Sequence, residues 1–182
     1  IFHCDIPEPL NNGVNCYASP SPVIEPGRVY VHFGSYGTAC LDTATGKTVW
    51  KRDDLECRHY RGPGSSPIVY KNLLILTFDG VDQQYLTALD TKTGNDVWRT
   101  DRTTVWHDFD EQGKPIREGD LRKGYSTPLV IDVNGKAQIV SPGSTCAFAY
   151  DALTGKELWS TRYDGHTPAP RPVFGNGLTY IV

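Results

Sequence analysis

The chain has 182 residues, of which 38% are hydrophobic, and this length is enough for a domain with a sizeable core. Its net charge of −3 gives no electrostatic basis for binding nucleic acid or an anionic membrane. The sequence contains 18 glycines and 13 prolines and no apolar run near the roughly 18 residues of a membrane helix, which favours short strands and turns.

The first segment, residues 1–19, precedes the first predicted strand and contains His3, Cys4 and Cys16. The sequence begins at Ile1 and has no Met, so we expect it to be a piece of a longer protein whose targeting signals lie elsewhere. The cysteines number five, without a C-x-x-C spacing, which gives little support to a zinc knuckle, a haem attachment site or a thioredoxin-like site. The sequence leaves a disulfide among the loop cysteines open.

The first repeated unit covers about residues 20–54, and its second half contains Asp42, Gly46 and Trp50 in the pattern D-x-x-T-G-x-x-[VL]-W. We interpret this pattern as a β-hairpin. The Asp carboxylate accepts hydrogen bonds from backbone N–H groups just ahead of it, and the Gly takes the positive φ that a short loop requires. Cys40 lies two residues before the Asp and is predicted to be a small buried side chain.

The same unit recurs along the chain. The second unit, about 65–102, has its motif at Asp90, Gly94 and Trp98. An insertion loop, 103–124, separates it from the third unit, about 125–163, whose motif lies at Asp151, Gly155 and Trp159. A fourth unit begins at about 170–182. This recurrence fits a propeller blade of roughly 40–50 residues once an insertion of about a dozen residues is allowed.

The three motif tryptophans have a structural and a functional interpretation. In the structural one, each ring is buried between neighbouring units and its indole N–H finds a backbone acceptor. In the functional one, a ring would contact a ligand. We predict the structural role.

Each unit contains four predicted strands, and the first strands begin at Pro22, Pro67, Pro128 and Pro172. Proline at the first residue of a strand loses no ladder hydrogen bond. Such meanders bury both faces only by stacking around an axis. The sequence therefore predicts an all-β protein, a β-propeller with four-stranded antiparallel blades. We expect about three and a half blades here, and seven or eight in a full-length chain that supplies the rest.

The hairpin pattern resembles the tryptophan-docking motif of the quinoprotein alcohol dehydrogenase-like propellers, which are built from PQQ-like repeats. That resemblance covers roughly residues 18–182. It implies one of two functions. Some members, including the outer-membrane protein assembly lipoprotein, are binding scaffolds without catalysis. Others are PQQ-dependent alcohol or sugar dehydrogenases that hold the quinone and Ca²⁺ at the propeller centre.

The dehydrogenase members share an adjacent Cys-Cys pair, a Glu and Asn for calcium, and a catalytic Asp. This sequence has no Cys-Cys pair, and no such acidic set stands out. We therefore predict a non-catalytic scaffold without cofactor or metal, which binds a protein partner or a small carbohydrate-like ligand. The alternative is a dehydrogenase with PQQ, Ca²⁺ and their ligands mainly outside this chain. The resemblance implies a periplasmic or secreted location.

The connections between the fourth strand of one unit and the first strand of the next are long and rich in functional groups. Function concentrates on loops that a rigid scaffold holds. The candidate ligand-binding residues in these connections are Arg58, His59, Arg61, Trp106, His107, Asp108 and His166.

Other roles are open for several of them. Arg58 and Arg61 could be solvated while His59 hydrogen-bonds a neighbouring loop. The loop around Trp106 is either a ligand clamp or a lid packed on the next blade. His107 and Asp108 lack an evident third metal ligand. A sugar-cleaving site would need two carboxylates about 5–10 Å apart, and the loop neighbours Asp108 and Asp110 make a poor pair.

Overall fold

The computed structural model describes residues 19–182, so His3, Cys4 and Cys16 lie outside the described residues. Three four-stranded antiparallel sheets and one two-stranded sheet follow one another along the chain. The first sheet contains β1 (Val23–Glu25), β2 (Arg28–His32), β3 (Thr38–Asp42) and β4 (Thr48–Arg52). The second contains β5 (Ile68–Tyr70), β6 (Leu73–Asp79), β7 (Gln84–Asp90) and β8 (Asp96–Asp101). The third contains β9 (Leu129–Val133), β10 (Lys136–Pro142), β11 (Cys146–Asp151) and β12 (Glu157–Arg162). The last contains β13 (Val173–Gly175) and β14 (Leu178–Tyr180).

This architecture confirms the all-β prediction of four-stranded antiparallel propeller blades, and each strand pairs with the next one in sequence. The limits assigned to each blade and the total number of blades stay predictions. Ile116–Arg122 forms a short, irregular 3-10 segment in the insertion loop. Within residues 19–182, no helix has the length and apolar character needed to cross a bilayer.

The motif hairpins have nearly identical turns. In the first, Asp42 Oδ1 accepts hydrogen bonds from the backbone N and the hydroxyl of Thr45, each at 2.7 Å. These bonds lower the pKa of the Asp42 carboxyl. Asp90 and Asp151 make the same contacts with Thr93 and Thr154. The repeat therefore encodes one turn, with the carboxylate satisfying the N–H groups that the strands leave unpaired.

The first two tryptophans join neighbouring sheets. Trp50 is 8% exposed, and its indole N–H donates to the Thr91 carbonyl of the second sheet at 3.0 Å. Its ring lies against Gly94, where an added Cβ would come within 2.7 Å of ring carbons. Trp98 lies in the same way against Gly155 of the third sheet. The predicted structural role of these two rings agrees with this packing.

The expectation of a backbone acceptor for each indole holds only for Trp50. The indole nitrogen of Trp98 has no hydrogen-bond partner among residues 19–182. Beside this ring, the Thr100 hydroxyl donates to the Gly155 carbonyl of the third sheet at 2.7 Å. Trp159 is half-buried and donates to the side chain of Gln138 in its own sheet at 3.1 Å. No motif turn follows Trp159 within the described residues, so the indole bonds within its own sheet.

The second sheet is buried on both faces because it lies between the first and the third. Alternate residues of β6 enter two different clusters: Leu74 and Leu76 pack with Tyr30 of the first sheet, while Ile75 packs with Phe148 of the third. This alternation follows from the two-residue period of a strand. All seven residues of β6 are buried, as expected for the central blade of a stack.

Hydroxyl groups that precede the first strands also join the sheets. The Ser21 backbone N donates to Ser66 Oγ at 2.9 Å, and the Ser66 N donates to Thr127 Oγ1 at 3.0 Å. Ser65 Oγ donates to the Ser126 carbonyl at 3.0 Å. These hydroxyls therefore link neighbouring sheets just before the first strand of each.

The described cysteines, Cys40, Cys57 and Cys146, are buried and carry free thiols. Cys40 packs beside Trp50, in agreement with its predicted role as a small buried side chain.

Candidate functional site

One end of the sheets carries the long connections, and we call it the loop face. It contains connections 53–67, 102–128 and 163–172 and the turns 33–37, 80–83 and 143–145. Backbone hydrogen bonds tie connections to turns here. Val81 N donates to the Arg58 carbonyl at 3.0 Å, and Thr145 N donates to the Gly165 carbonyl at 2.9 Å. The loops therefore form a connected surface.

The seven candidate residues fall into three places on this face. Trp106, His107, Asp108 and His166 line one cavity of about 230 Å³, which we call the 106–166 pocket. Arg58 and His59 line a separate cavity of about 390 Å³ between the first and second sheets. Arg61 lies outside both cavities, beside Asp120. The structure thus brings four of the seven together, and their predicted binding role stays a prediction.

The 106–166 pocket has an apolar wall and a polar rim. The apolar wall consists of Val105, Trp106 and Leu121. The remaining lining residues are His107, Asp108, Thr145, Arg162, Gly165 and His166. Two successive connections, 102–128 and 163–172, supply all of them except Thr145 and Arg162, the last residue of β12. An apolar cleft with a few polar groups is the usual form of a small-ligand site.

An ion pair fixes the insertion loop beside this pocket. Both carboxylate oxygens of Asp108 accept from the Arg122 guanidinium, at 2.7 and 2.9 Å, and both side chains are 11% exposed. This guanidinium lies 5.4 Å from the centre of the Trp106 ring and 4.9 Å from that of Phe109. The pair lowers the pKa of the Asp108 carboxyl. Asp108 therefore has a positioning role, in addition to any contact with a ligand.

Trp106 is fixed from a second direction as well. Its indole N–H donates to Gln84 Oε1 at 3.3 Å. Thr145, which lines the same pocket, adopts φ +61°. The Thr145 carbonyl accepts from Tyr163 N at 3.0 Å, while its hydroxyl has no hydrogen-bond partner among residues 19–182. Residues with a positive φ are uncommon in proteins, and they cluster at binding sites, where the surrounding hydrogen bonds hold them in place.

His59 is buried in the seam between the first two sheets. Its Nε2 accepts from the backbone N of Ser35 at 3.1 Å, so the residue hydrogen-bonds a neighbouring loop. Burial lowers the pKa of the His59 imidazole to about 4. Burial also lowers the pKa of the neighbouring His32 to about 3, and both rings lie beside Phe78. His59 therefore holds loops together as a neutral ring, while Arg58 at the same cavity is exposed.

A buried lysine joins two connections of the loop face. Lys123 is 1% exposed and forms an ion pair with Asp120. Its Nζ lies 5.1 Å from the ring centre of Tyr60 and 5.6 Å from that of Tyr125. Arg61 approaches the other oxygen of Asp120 at 3.6 Å. The cluster anchors the insertion loop to the preceding connection through charge pairing and cation–π contacts.

A second buried ion pair lies beneath the loops. Arg102 donates to both oxygens of Asp79 at 2.6 and 2.8 Å, and each side chain is 1% exposed. The same guanidinium donates to the Ser141 hydroxyl of the third sheet at 2.9 Å. Burial disfavours the charged form of Arg102, but the charge of Asp79 raises its pKa overall. This pair joins the second and third sheets directly below the connection that carries the pocket.

The described residues do not offer a metal site: within 19–182, no group of three or more His, Cys, Asp and Glu side chains could hold an ion. His107 and Asp108 line the same pocket without a third ligand. The adjacent cysteine pair of the quinone enzymes is also missing from the sequence. These residues therefore do not fit a quinone and calcium centre.

Sequence reasoning did not single out Leu121, Arg122, Lys123 or Thr145. Arg122 and Lys123 form a basic pair in the same insertion as Asp108 and Asp120, and such opposite charges within one connection could have suggested the two ion pairs. No sequence pattern could have identified Thr145 as a pocket residue, because its position depends on the packing of a turn against the next connection.

Comparison with known proteins places these features in a family context. The family described as the outer membrane protein assembly factor BamB matches residues 10–104 and 82–182. The quinohemoprotein alcohol dehydrogenase ADH-IIG of Pseudomonas putida is 28% identical over 159 residues, which are 82% of this chain and 20% of that protein. Methanol dehydrogenase subunit 1 of Methylorubrum extorquens is 38% identical over 64 residues, or 34% of this chain and 10% of that protein.

Two solved structures show the same fold. BamB from Moraxella catarrhalis superposes with a TM-score of 0.61 at 16% identity, over 90% of this chain and 46% of that one. Quinohemoprotein alcohol dehydrogenase from Comamonas testosteroni also gives a TM-score of 0.61, at 20% identity, over 90% of this chain and 31% of that one. The chain thus spans a fifth or less of the curated relatives and less than half of these structures.

Proposed function

Because the chain belongs to the PQQ-repeat propeller family of the outer membrane protein assembly factor BamB, we propose that it is part of a non-catalytic binding scaffold. The loop face takes a small carbohydrate-like ligand in the 106–166 pocket and is the surface on which a protein partner docks. The protein acts in a periplasmic or other extracytoplasmic compartment. One propeller fold hosts several functions, so the function depends on the residues of the site.

The pocket itself is the observation that carries the proposal. Its aromatic wall is held in place before any ligand binds, because Trp106 is fixed by Gln84 and by the Arg122–Asp108 pair. A rigid site loses little entropy on binding. An indole beside polar donors suits a sugar, which presents C–H groups on one face and hydroxyl groups around its rim.

A direct test is to titrate the protein with a panel of methyl glycosides and to follow the heat of binding. Trp106→Ala removes the main apolar surface of the pocket and is expected to abolish or weaken binding at least tenfold, since burying a large ring contributes about 2 kcal/mol. Val49→Ala is the matched control, because Val49 is exposed on β4 outside the pocket. The carbohydrate proposal is wrong if no glycoside binds, or if both variants bind as the parent does.

The second candidate function is a PQQ-dependent alcohol or sugar dehydrogenase. It is favoured by the 28% identity with the quinohemoprotein alcohol dehydrogenase over most of the chain. The described residues do not fit its cofactor centre, so we derive no catalytic step from them. Saturable quenching of tryptophan fluorescence by PQQ with Ca²⁺, together with alcohol-dependent reduction of a dye, would replace the scaffold proposal with this one.

A further inference from the structure

We propose that the 106–166 pocket selects an anionic sugar, one that carries a carboxylate or a sulfate ester, over its neutral counterpart. This inference rests on the proposed function, since it names the class of ligand for the same pocket. It follows from the balance of hydrogen-bond donors and acceptors that line the cavity.

The polar side chains of the pocket are predominantly donors. Arg162 contributes a guanidinium with five N–H groups, and it forms no ion pair within residues 19–182. His107 and His166 are exposed, and each imidazole carries at least one N–H donor. Guanidinium groups bind carboxylates and sulfate-like anions through paired, charge-assisted hydrogen bonds.

The acidic group among the lining residues does not cancel this positive charge. Asp108 accepts from Arg122 with both carboxylate oxygens, so its charge is already paired. Asp164 lies in an adjoining cavity of about 330 Å³ that shares Arg162 and Thr145 with the pocket, and it forms no ion pair with Arg162. The unpaired cation of the pocket is therefore the Arg162 guanidinium, which an anionic substituent would neutralise.

The apolar wall decides for a sugar-sized anion over a bare ion. The cavity of about 230 Å³ is lined by the apolar side chains of Val105, Trp106 and Leu121 as well as by Arg162 and the two histidines. A free inorganic anion would pair with Arg162 and leave the apolar side chains uncovered. A ring that carries one charged substituent can place its C–H surface on Trp106 while the charge meets Arg162.

Three probes test the inference by calorimetric titration: methyl glucuronide, glucose 6-sulfate and neutral methyl glucoside. Because one charge-assisted hydrogen bond is added, we expect at least one of the two anions to bind about tenfold or more tightly than the glucoside. The two anions distinguish a carboxylate from a sulfate ligand. Arg162→Gln should remove this preference, so that the ratio of anion affinity to glucoside affinity falls to about one.

Lys156→Gln is the control for charge, because Lys156 is exposed in the β11–β12 turn at the opposite end of the same sheet. It should keep the preference. Equal binding of all three probes would overturn the inference and leave the scaffold proposal standing, whereas no binding of any probe would overturn both. A preference that persists in Arg162→Gln but is lost in Lys156→Gln would assign the selectivity to the general charge of the protein and contradict a role for the pocket.

Discussion

Two of the motif glycines allow a direct measurement of how much tryptophan docking stabilises the seams between sheets. Gly46 and Gly94 have nearly the same backbone conformation, with φ of +69° and +74°. Their surroundings differ. A Cβ added at Gly46 would meet nothing within 4 Å, whereas one added at Gly94 would lie 2.7 Å from carbons of the Trp50 ring. Alanine at either position must therefore adopt a positive φ, but only alanine at Gly94 must also displace the Trp50 ring.

The shared cost is the left-handed conformation, about 1–2 kcal/mol for a residue with a side chain. Gly94→Ala must also displace the docked indole, which adds about 1–3 kcal/mol of overpacking. We expect Gly46→Ala to lower the free energy of unfolding by about 1–2 kcal/mol and Gly94→Ala by about 2–5 kcal/mol.

The assay is urea unfolding at 25 °C, followed by both far-ultraviolet circular dichroism and tryptophan fluorescence so that two-state behaviour is checked. The single variant Trp50→Ala and the double variant Trp50→Ala with Gly94→Ala complete the cycle. When Gly94→Ala is added to Trp50→Ala, where the ring is absent, it should lower the free energy of unfolding only as much as Gly46→Ala does in the parent. Equal losses for the two single variants would refute the reasoning, because they would show that the ring does not press on the turn.

Three further predictions concern buried titratable groups. Burial lowers the pKa values of His32 and His59 to about 3 and 4, below the ordinary value of about 6.5. The contribution of the two neutral rings to the free energy of unfolding is therefore fully present above pH 6.5 and is lost as the pH falls towards 4. Each ring should contribute about 1.4 kcal/mol per pH unit, and His59→Gln should reduce the slope measured between pH 7 and 4.5; an unchanged slope would contradict the assignment. Arg102→Met leaves Asp79 buried without its partner and should cost about 3–5 kcal/mol in urea unfolding, whereas adding Asp79→Leu should restore most of the loss; no recovery in the double variant would argue against an unpaired charge as the cause. Burial raises the pKa of the Cys57 thiol, so its alkylation by iodoacetamide should be at least about tenfold slower in the native protein than in urea. Mass spectrometry measures the two rates at Cys57. Equal rates would mean that the seam between the first and second sheets opens freely.

The repeat is the part of this structure that could be predicted from sequence, because its determinants are local. Asp42, Thr45 and Gly46 close the hairpin through contacts within five residues, so identical letters produce identical turns in each sheet. The partner of each tryptophan was less certain, since it depends on the neighbouring blade. Trp50 and Trp98 occupy the same motif position, yet only Trp50 donates to a backbone carbonyl.

The candidate site was predictable only as a set of loops. Composition brought His107 and His166 to notice, but their meeting in one cavity depends on the 102–128 and 163–172 connections converging over the third sheet. No local rule separates these two from His59, which belongs to the same class of connection and is buried as a neutral ring between sheets. The difference arises from tertiary packing, because Phe78 and the Ser35 turn cover one ring and leave the other two exposed.

The insertion loop explains how a repeated scaffold acquires an individual site. Two of its acidic residues pair within the same segment, Asp108 with Arg122 and Asp120 with Lys123, so charge pairs inside the loop help to fix it. Arg102 and Asp79 join the second and third sheets by a separate ion pair, which does not involve the charges of Asp108, Asp120, Arg122 or Lys123. The insertion occupies one connection without displacing the docked rings of Trp50 and Trp98. Under the proposed function, the repeat determines the architecture, whereas the insertion, together with Arg162 and the 163–172 connection, determines what the loop face binds.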